Sequence, residues 1–342
     1  MQTKESFMNR ALELALLGFG KVSPNPIVGC VIVKDGKIIG EGYHKVYGGP
    51  HAEVNAVNSV INKEDIKGSD VYVTLEPCSH YGKTPPCADL LVKHLPKKVI
   101  VCNLDPNPLV AGRGMKKLED AGIETEVGVL EDKGLEINRR FFTFMQEKRP
   151  YIILKWAQTA DGYVARKNFD SKWISNSFSR KMVHKWRAEE DSIMVGRNTA
   201  QYDNPSLNVR DWQGKDPVRV VIDSELKLSK DLNLFDQTIP TLCYNLKQDL
   251  EDGLVTYIKV EKENYLSAIF TDLFERKLQS IIIEGGSYLL QKCIDENFWD
   301  EARVFMAKTT FGDGIKAPSL KNAKFISENE LQGDKLQVLR NI

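Results

Sequence analysis

The chain has 342 residues, 42% of them hydrophobic and 27% charged, with 47 basic and 47 acidic side chains and zero formal net charge. That length allows two ordinary cores, and the composition excludes a disordered, collagen-like or coiled-coil protein. No apolar run approaches the roughly 18 residues of a membrane span, and the balance of 18 basic and 18 acidic residues in 1–146 argues against a nucleic-acid binder.

The first half reads as an α/β series. Residues 5–18 have an amphipathic helical pattern, with Phe7, Met8, Ala11, Leu12, Ala15 and Leu16 on one side. Strands are expected at 27–33 and 37–41, joined by the hairpin signal Asp35-Gly36. A helix at 51–60, a strand at 70–75, a helix at 86–94 and a strand at 98–102 follow. A helix near 114–121 and a strand at 123–127 complete the series. The charged run 131–150 leads to an expected boundary, giving domains 1–146 and 147–342. The second half starts a fresh α/β series. Its strands are expected at 151–159, 192–195, 218–223, 239–244, 281–284 and 301–307, and its helices at 177–190, 263–275 and 287–296.

Six cysteines are too few for a disulfide scaffold. Cys30, Cys78, Cys87 and Cys102 lie in the first 102 residues with His44, His51, His80 and His94, so a metal is expected there. His51-Ala52-Glu53 and Pro77-Cys78 with Cys87 follow the His-x-Glu…Pro-Cys signature of zinc deaminases. One imidazole and two thiolates leave a fourth zinc position open, as a catalytic site requires. Each ligand falls near an expected helix start, where the dipole favours thiolate. Glu53 lies in the same first turn and can carry a proton from water to a leaving amine. A structural zinc is the rival, and His80 is awkwardly close to Cys78 to serve as its fourth ligand. Cys30 and Cys102 sit in apolar strands and read as buried small hydrophobes, and His94 as a surface residue.

Eight residues separate Cys78 from Cys87, where most deaminases have two. With this insertion, Ser23-Pro24-Asn25-Pro26-Ile27-Val28-Gly29, Gly42-Tyr43-His44, Glu76-Pro77-Cys78 and Asp105-Pro106-Asn107-Pro108 closely resemble the bifunctional riboflavin-biosynthesis deaminase/reductase family. The resemblance covers essentially the whole chain. It implies an N-terminal cytidine-deaminase-like α/β/α domain and a C-terminal dihydrofolate-reductase-like α/β domain. For the first half it implies zinc-dependent deamination of 2,5-diamino-6-(5-phosphoribosylamino)pyrimidin-4(3H)-one. His51, Cys78 and Cys87 would hold the zinc, Glu53 would shuttle the proton, and Asn25, His44, His80 and Lys83 would hold the substrate.

In the second half, Glu284-Gly285-Gly286 and Gly196-Arg197-Asn198-Thr199 each sit between a strand and a helix, as a phosphate cradle or as simple tight turns. Leu154–Gly162, Ser171–Ser175, Asp203–Arg210 and Val221–Ser224 are similar to the family's reductase half. That similarity implies NADPH-dependent reduction of 5-amino-6-(5-phosphoribosylamino)uracil to the ribitylamino phosphate. It places Ala157, Trp173, Thr199, Asp203, Ser224, Gly285 and Gly286 at NADPH. It places Ser171, Arg187, Leu207, Arg210 and Glu284 at the substrate, with Lys155 and Asp203 as catalytic candidates. Gln158 replaces a smaller family residue and is expected beside the nicotinamide. His184, Cys243 and Cys293 read as structural. The expected protein is cytoplasmic and a homo-oligomer, a dimer or tetramer, acting on small molecules with no nucleic-acid or membrane partner.

Overall fold

The computed structural model describes residues 3–81, 85–107, 111–172 and 174–342. The chain divides into two units, Met1–Lys148 and Arg149–Ile342. Lys83 and Trp173 lie outside the described residues.

The first unit runs α1 (Lys4–Leu16), β1 (Gly29–Lys34), β2 (Lys37–Tyr43), α2 (Ala52–Ser59), β3 (Asp70–Leu75), α3 (Cys87–His94), β4 (Lys98–Asn103), α4 (Arg113–Asp120), β5 (Glu124–Val127), α5 (Glu131–Ile137) and α6 (Arg139–Glu147). The sheet order is β2-β1-β3-β4-β5, antiparallel about β1 and parallel from β3 onward. Asp35 and Gly36 both take positive φ, the backbone of a two-residue hairpin turn. One core lies between the sheet and α2, α3 and α4, built on residues such as Ala56, Val57, Leu91 and Leu118. The other face packs α1 through Phe7, Met8, Ala11, Leu12 and Leu14. Leu16 was expected on that stripe but is 50% exposed. At 100° per residue Leu14 lies about 20° from Phe7, whereas Leu16 lies about opposite. The sheet admits α2 very closely: a Cβ on Gly42 would overlap the backbone of Ala52, Asn55 and Ala56.

The charged run 131–150 holds two helices that its composition hides. In α6 the buried residues are Arg140, Phe141, Phe142 and Phe144. Phe141 and Phe142 pack on Leu75, while the Arg140 guanidinium lies over the Phe19 ring at 4.7 Å.

The second unit runs β6 (Tyr151–Gln158), β7 (Tyr163–Ala165), α7 (Ser177–Glu189), β8 (Ser192–Gly196), α8 (Arg197–Asp203), β9 (Val218–Ile222), β10 (Thr241–Asn245), β11 (Leu250–Asp252), β12 (Val255–Lys259), α9 (Tyr265–Glu275), β13 (Ser280–Glu284), α10 (Ser287–Asp295), β14 (Glu301–Met306), β15 (Ile315–Lys316), β16 (Ala323–Leu331) and β17 (Asp334–Asn341). Ten strands form one sheet in the order β11-β12-β10-β9-β8-β13-β6-β14-β17-β16. The seven from β12 to β14 are parallel. Alternate residues of β6 serve opposite faces: Ile152, Leu154 and Trp156 join the core under α9 and α10, and Tyr151 and Ile153 the core under α7 and α8. The final hairpin β16–β17 had no expectation attached to it. Its first strand is mostly exposed and lacks the alternation that marks a half-buried strand.

Candidate functional site

His51 is the N-cap residue of α2, and Cys87 opens α3. Cys78 lies in the loop after β3. Their side chains converge: His51 Nδ1 is 3.6 Å from Cys78 Sγ and 3.3 Å from Cys87 Sγ. All three donor atoms lie within 4.8 Å of one another. Tetrahedral zinc bound at its usual Zn–N and Zn–S lengths separates such donors by about 3.5 Å, so the residues fit that ion. The Cys87 backbone N–H also donates to Cys78 Sγ at 3.3 Å. The hydrogen bond from Cys87 and the neighbouring His51 hold the Cys78 thiol well below its ordinary value. In the metal-free site the bond between the two thiol groups, with burial, pushes Cys87 up.

Glu53 sits in the first turn of α2, 3% exposed. Burial, with the nearby Cys78 charge, raises its carboxyl to about 7. A carboxyl group near neutrality can both accept and give a proton at working pH. His44 lies beside this centre, its ring 5.5 Å from that of His51. Its Nδ1 faces the Pro50 carbonyl oxygen and its Nε2 the Asn25 amide nitrogen, both at 3.1 Å. Burial lowers its pKa. A neutral ring satisfies both contacts, with Nδ1–H donating and Nε2 accepting. His80 is exposed.

The buried Glu76 carboxylate went without a role at the level of sequence, although it stands two residues before Cys78. It accepts the backbone N–H groups of Asp105, Gly112 and Gly114 at 3.3, 2.9 and 3.0 Å. Asp105 is thereby held near Cys78 and His80, and burial raises its carboxyl to about 6.

In the second unit the C-terminal ends of β9, β8, β13 and β6 open on a cavity of about 790 Å³. Such crevices beyond parallel strand ends are the usual ligand sites of α/β sheets. Ala157, Thr199, Asp203, Ser224, Gly285 and Gly286 line it, as do Ser171, Leu207 and Arg210. Gly285 and Gly286 have φ of +79° and +80°. A Cβ on Gly285 would sit 3.0 Å from Thr199 Cγ2, so the pair keeps open a cradle at the start of α10. That cradle and the cavity size fit a dinucleotide.

The register sets Glu284 of β13 beside Lys155 of β6. Lys155 Nζ is 3.6 Å from Glu284 Oε2. Arg187 of α7 grips the same carboxylate with two hydrogen bonds of 3.0 and 2.9 Å and donates to the Asn208 carbonyl at 3.2 Å. Burial alone would raise Glu284; Arg187 and Lys155 overcome it and pull the carboxyl to about 2. Lys155 moves down because its own burial and the nearby Arg187 outweigh its attraction to Glu284. Asp203 is raised by burial, with the Ser171 hydroxyl 3.4 Å away. His184, expected to be structural, is buried with Nδ1 on the Asn208 carbonyl at 3.1 Å. Gln158 departs from expectation. It is absent from the cavity wall, and its Oε1 accepts the Trp156 indole N–H at 2.8 Å. The alternation of β6 turns it away from the face that carries Lys155 and Ala157.

Residues 150–340 match the family described as the RibD C-terminal domain, and residues 1–103 match the cytidine and deoxycytidylate deaminase zinc-binding region. The riboflavin biosynthesis protein RibD of Aquifex aeolicus is 41% identical over 323 residues, covering 92% of this chain and 90% of that protein. This chain belongs to the RibD family. The RibD of Escherichia coli is 36% identical over 331 residues, covering 91% and 89%. A Thermotoga maritima diaminohydroxyphosphoribosylaminopyrimidine deaminase/5-amino-6-(5-phosphoribosylamino)uracil reductase is similar with a TM-score of 0.90 at 36% identity, covering 99% of this chain and 98% of that one. Acinetobacter baumannii RibD gives 0.89 at 35% identity over the same shares. As in the RibD family, a cytidine-deaminase-like α/β/α unit precedes a dihydrofolate-reductase-like α/β unit. Among the described residues no helix is long and apolar enough to cross a membrane.

Proposed function

We propose that this chain carries out two consecutive steps of riboflavin biosynthesis. Residues 1–146 deaminate 2,5-diamino-6-(5-phosphoribosylamino)pyrimidin-4(3H)-one, and residues 147–342 reduce 5-amino-6-(5-phosphoribosylamino)uracil to its ribitylamino phosphate. The observation that carries the reading is the convergence of His51, Cys78 and Cys87 at two helix starts, with a buried carboxyl in the first turn of one of them.

In the first step His51, Cys78 and Cys87 hold zinc, which when bound acidifies a water at its open position. Glu53 takes the proton and returns it to the departing amine. Asn25, its amide held by the neutral His44 ring, offers donor and acceptor groups to the pyrimidine with His44 beside it, and the His80 imidazole and the Lys83 cation meet the phosphate. In the second step NADPH, when bound, supplies the hydride for C1′ of the ring-opened sugar. Ala157, Trp173, Thr199, Asp203, Ser224, Gly285 and Gly286 hold it. Glu284 fixes Lys155 and Arg187 on one side of the cavity, where Lys155 meets the sugar hydroxyls and Arg187 and Arg210 face the phosphate. Ser171 and Leu207 complete the substrate wall, and Asp203, its carboxyl raised by burial, donates the proton. The protein acts in the cytoplasm, as a homo-oligomer, on small molecules and not on nucleic acid.

The test supplies zinc-loaded protein with the diaminopyrimidine and NADPH, and follows ammonia release beside NADPH absorbance. Both signals are expected, ammonia first. Ammonia without NADPH loss would remove the reductase assignment, and neither signal from metal-loaded protein would remove the substrate assignment.

A further inference from the structure

The segment from Arg166 to Lys172 leaves β7 and returns along the reductase cavity. Two short backbone bonds fold it: Arg166 N–H to the Asp170 carbonyl and Phe169 N–H to the Arg166 carbonyl, each 2.9 Å. This turn places Phe169 at φ +68°, a left-handed backbone that is unfavourable for a bulky side chain and persists only where surrounding contacts hold it. Within the turn Asp170 N–H also bonds Asn168 Oδ1 and Lys172 N–H bonds Asp170 Oδ1, each at 3.1 Å. The Arg166–Asp170 ion pair is nearly half exposed on both sides, and such pairs contribute little.

The start of the segment is tied outward, with the Arg166 guanidinium 4.1 Å over the Phe311 ring and Lys167 paired with Asp313; its end is held across the cavity rim. The Phe169 ring stacks on Tyr202 with centroids 4.4 Å apart and planes 3° from parallel. The next residue of α8, Asp203, meets the Ser171 hydroxyl at 3.4 and 3.5 Å. Thus two residues of the turn engage two successive residues of one helix, and all four line the cavity. The Ser171 contact is long, so it does not anchor the segment unaided. The stack does so and brings Ser171 to Asp203. Among the described residues, no hydrogen bond is recorded at the Tyr202 hydroxyl, so the ring itself is the working part.

We propose that Phe169 and Tyr202 are positioning residues of the reductase site, a ring clasp that seats Ser171 against Asp203. This role rests on the reading of the cavity as the NADPH-dependent reductase site.

The experiment uses the full chain, loaded with zinc, supplied directly with the deaminated pyrimidine. It compares wild type with Tyr202→Phe, Tyr202→Ala, Phe169→Ala and the double variant Phe169→Ala/Tyr202→Ala. Reductase kcat/KM, NADPH binding followed by nucleotide fluorescence, and the rate of tryptic cutting at Arg166 and Lys167 are read together. Loss of an aromatic pair is worth roughly two- to tenfold. Each alanine variant is expected to lose that much kcat/KM and to be cut faster, while Tyr202→Phe matches wild type. The double variant is expected to lose no more than either single one, because both remove the same contact. Multiplying losses, or an undiminished Tyr202→Ala, would overturn the clasp. Tyr202→Phe falling with Tyr202→Ala would overturn it too, because the ring would then not be the working part. Wild-type protein that binds no NADPH, with trypsin still separating the variants, would instead remove the reductase reading and this catalytic role with it.

Discussion

The two candidate sites are built on opposite plans. In the first unit, the three metal-binding side chains and Glu53 fall between residues 51 and 87, and helix starts aim them at one point. In the second unit the cavity wall runs from Lys155 to Ile315 and draws on six strands, four helices and the loops between them. A centre that must hold an ion needs few donors at short range. A groove for a dinucleotide and a sugar phosphate needs many weak contacts, and only the assembled sheet brings them together. The first plan concentrates its chemistry in few residues, and the second disperses it.

The separation can be attacked directly. The largest effect is expected for Glu53→Gln, which removes the proposed proton carrier: ammonia release should fall by about 10²–10⁴-fold. Reduction of supplied 5-amino-6-(5-phosphoribosylamino)uracil should stay at the wild-type rate, and a joint loss would show that the plans are not independent. Lys155→Met is the mirror experiment. It should lower reduction by about 10²-fold and leave ammonia release intact. A chelator sharpens the contrast without mutation: ammonia release stops while NADPH binding, followed by fluorescence, persists. Arg187→Met tests the dispersed plan on stability. Removing one partner of a buried charge network costs about 3 kcal/mol, read by urea unfolding of the second unit's transition. The smallest effects are in pH. Asp105, raised from 3.8 to about 6, stabilises the metal-free first unit at low pH, and that contribution is lost as pH rises through about 6. Glu284, lowered from 4.5 to about 2, stabilises the second unit above its unfolded value, and that contribution is lost as pH falls through about 2. Thermal unfolding followed across pH 2–8 should therefore show opposite slopes. Asp105→Asn and Glu284→Gln should each flatten one of them.

The same contrast explains what could be read in advance. The His51-Ala52-Glu53 and Cys78…Cys87 spacings announce the first site, because His51 and Cys87 are each anchored by a local helix start and Cys78 follows closely on a strand end. The regular strands β3, β6, β8 and β13 were also visible, since their apolar runs are bounded by turns. Glu76 stayed hidden as a functional residue. Its three backbone donors come from 29 or more residues away, and no spacing records that. The Phe169–Tyr202 stack is equally long-range. The helices α5 and α6 were masked by charged residues around a short apolar stripe. The hairpin β16–β17 was masked by exposure on its outer strand. In the second unit the turns at Gly196–Thr199 and Glu284–Gly286 are legible as a cradle, but only the resemblance to a family picks out the other wall residues, because Lys155 and Glu284 meet through strand register, over 129 residues of chain.

Gly42 gives the first centre a mechanical property. Helix α2 rests on the sheet with bare backbone beneath it at that point, and the first turn of the same helix carries Glu53. A layer of side chains can shear or compress under load; touching backbones have almost no slack. The spacing between sheet and the Glu53 carboxyl is thus set by hard contact, as a gauge block sets a gap. Hydrostatic pressure and core substitutions elsewhere would then move Glu53 little, whereas one added methyl at residue 42 would lift the whole helix.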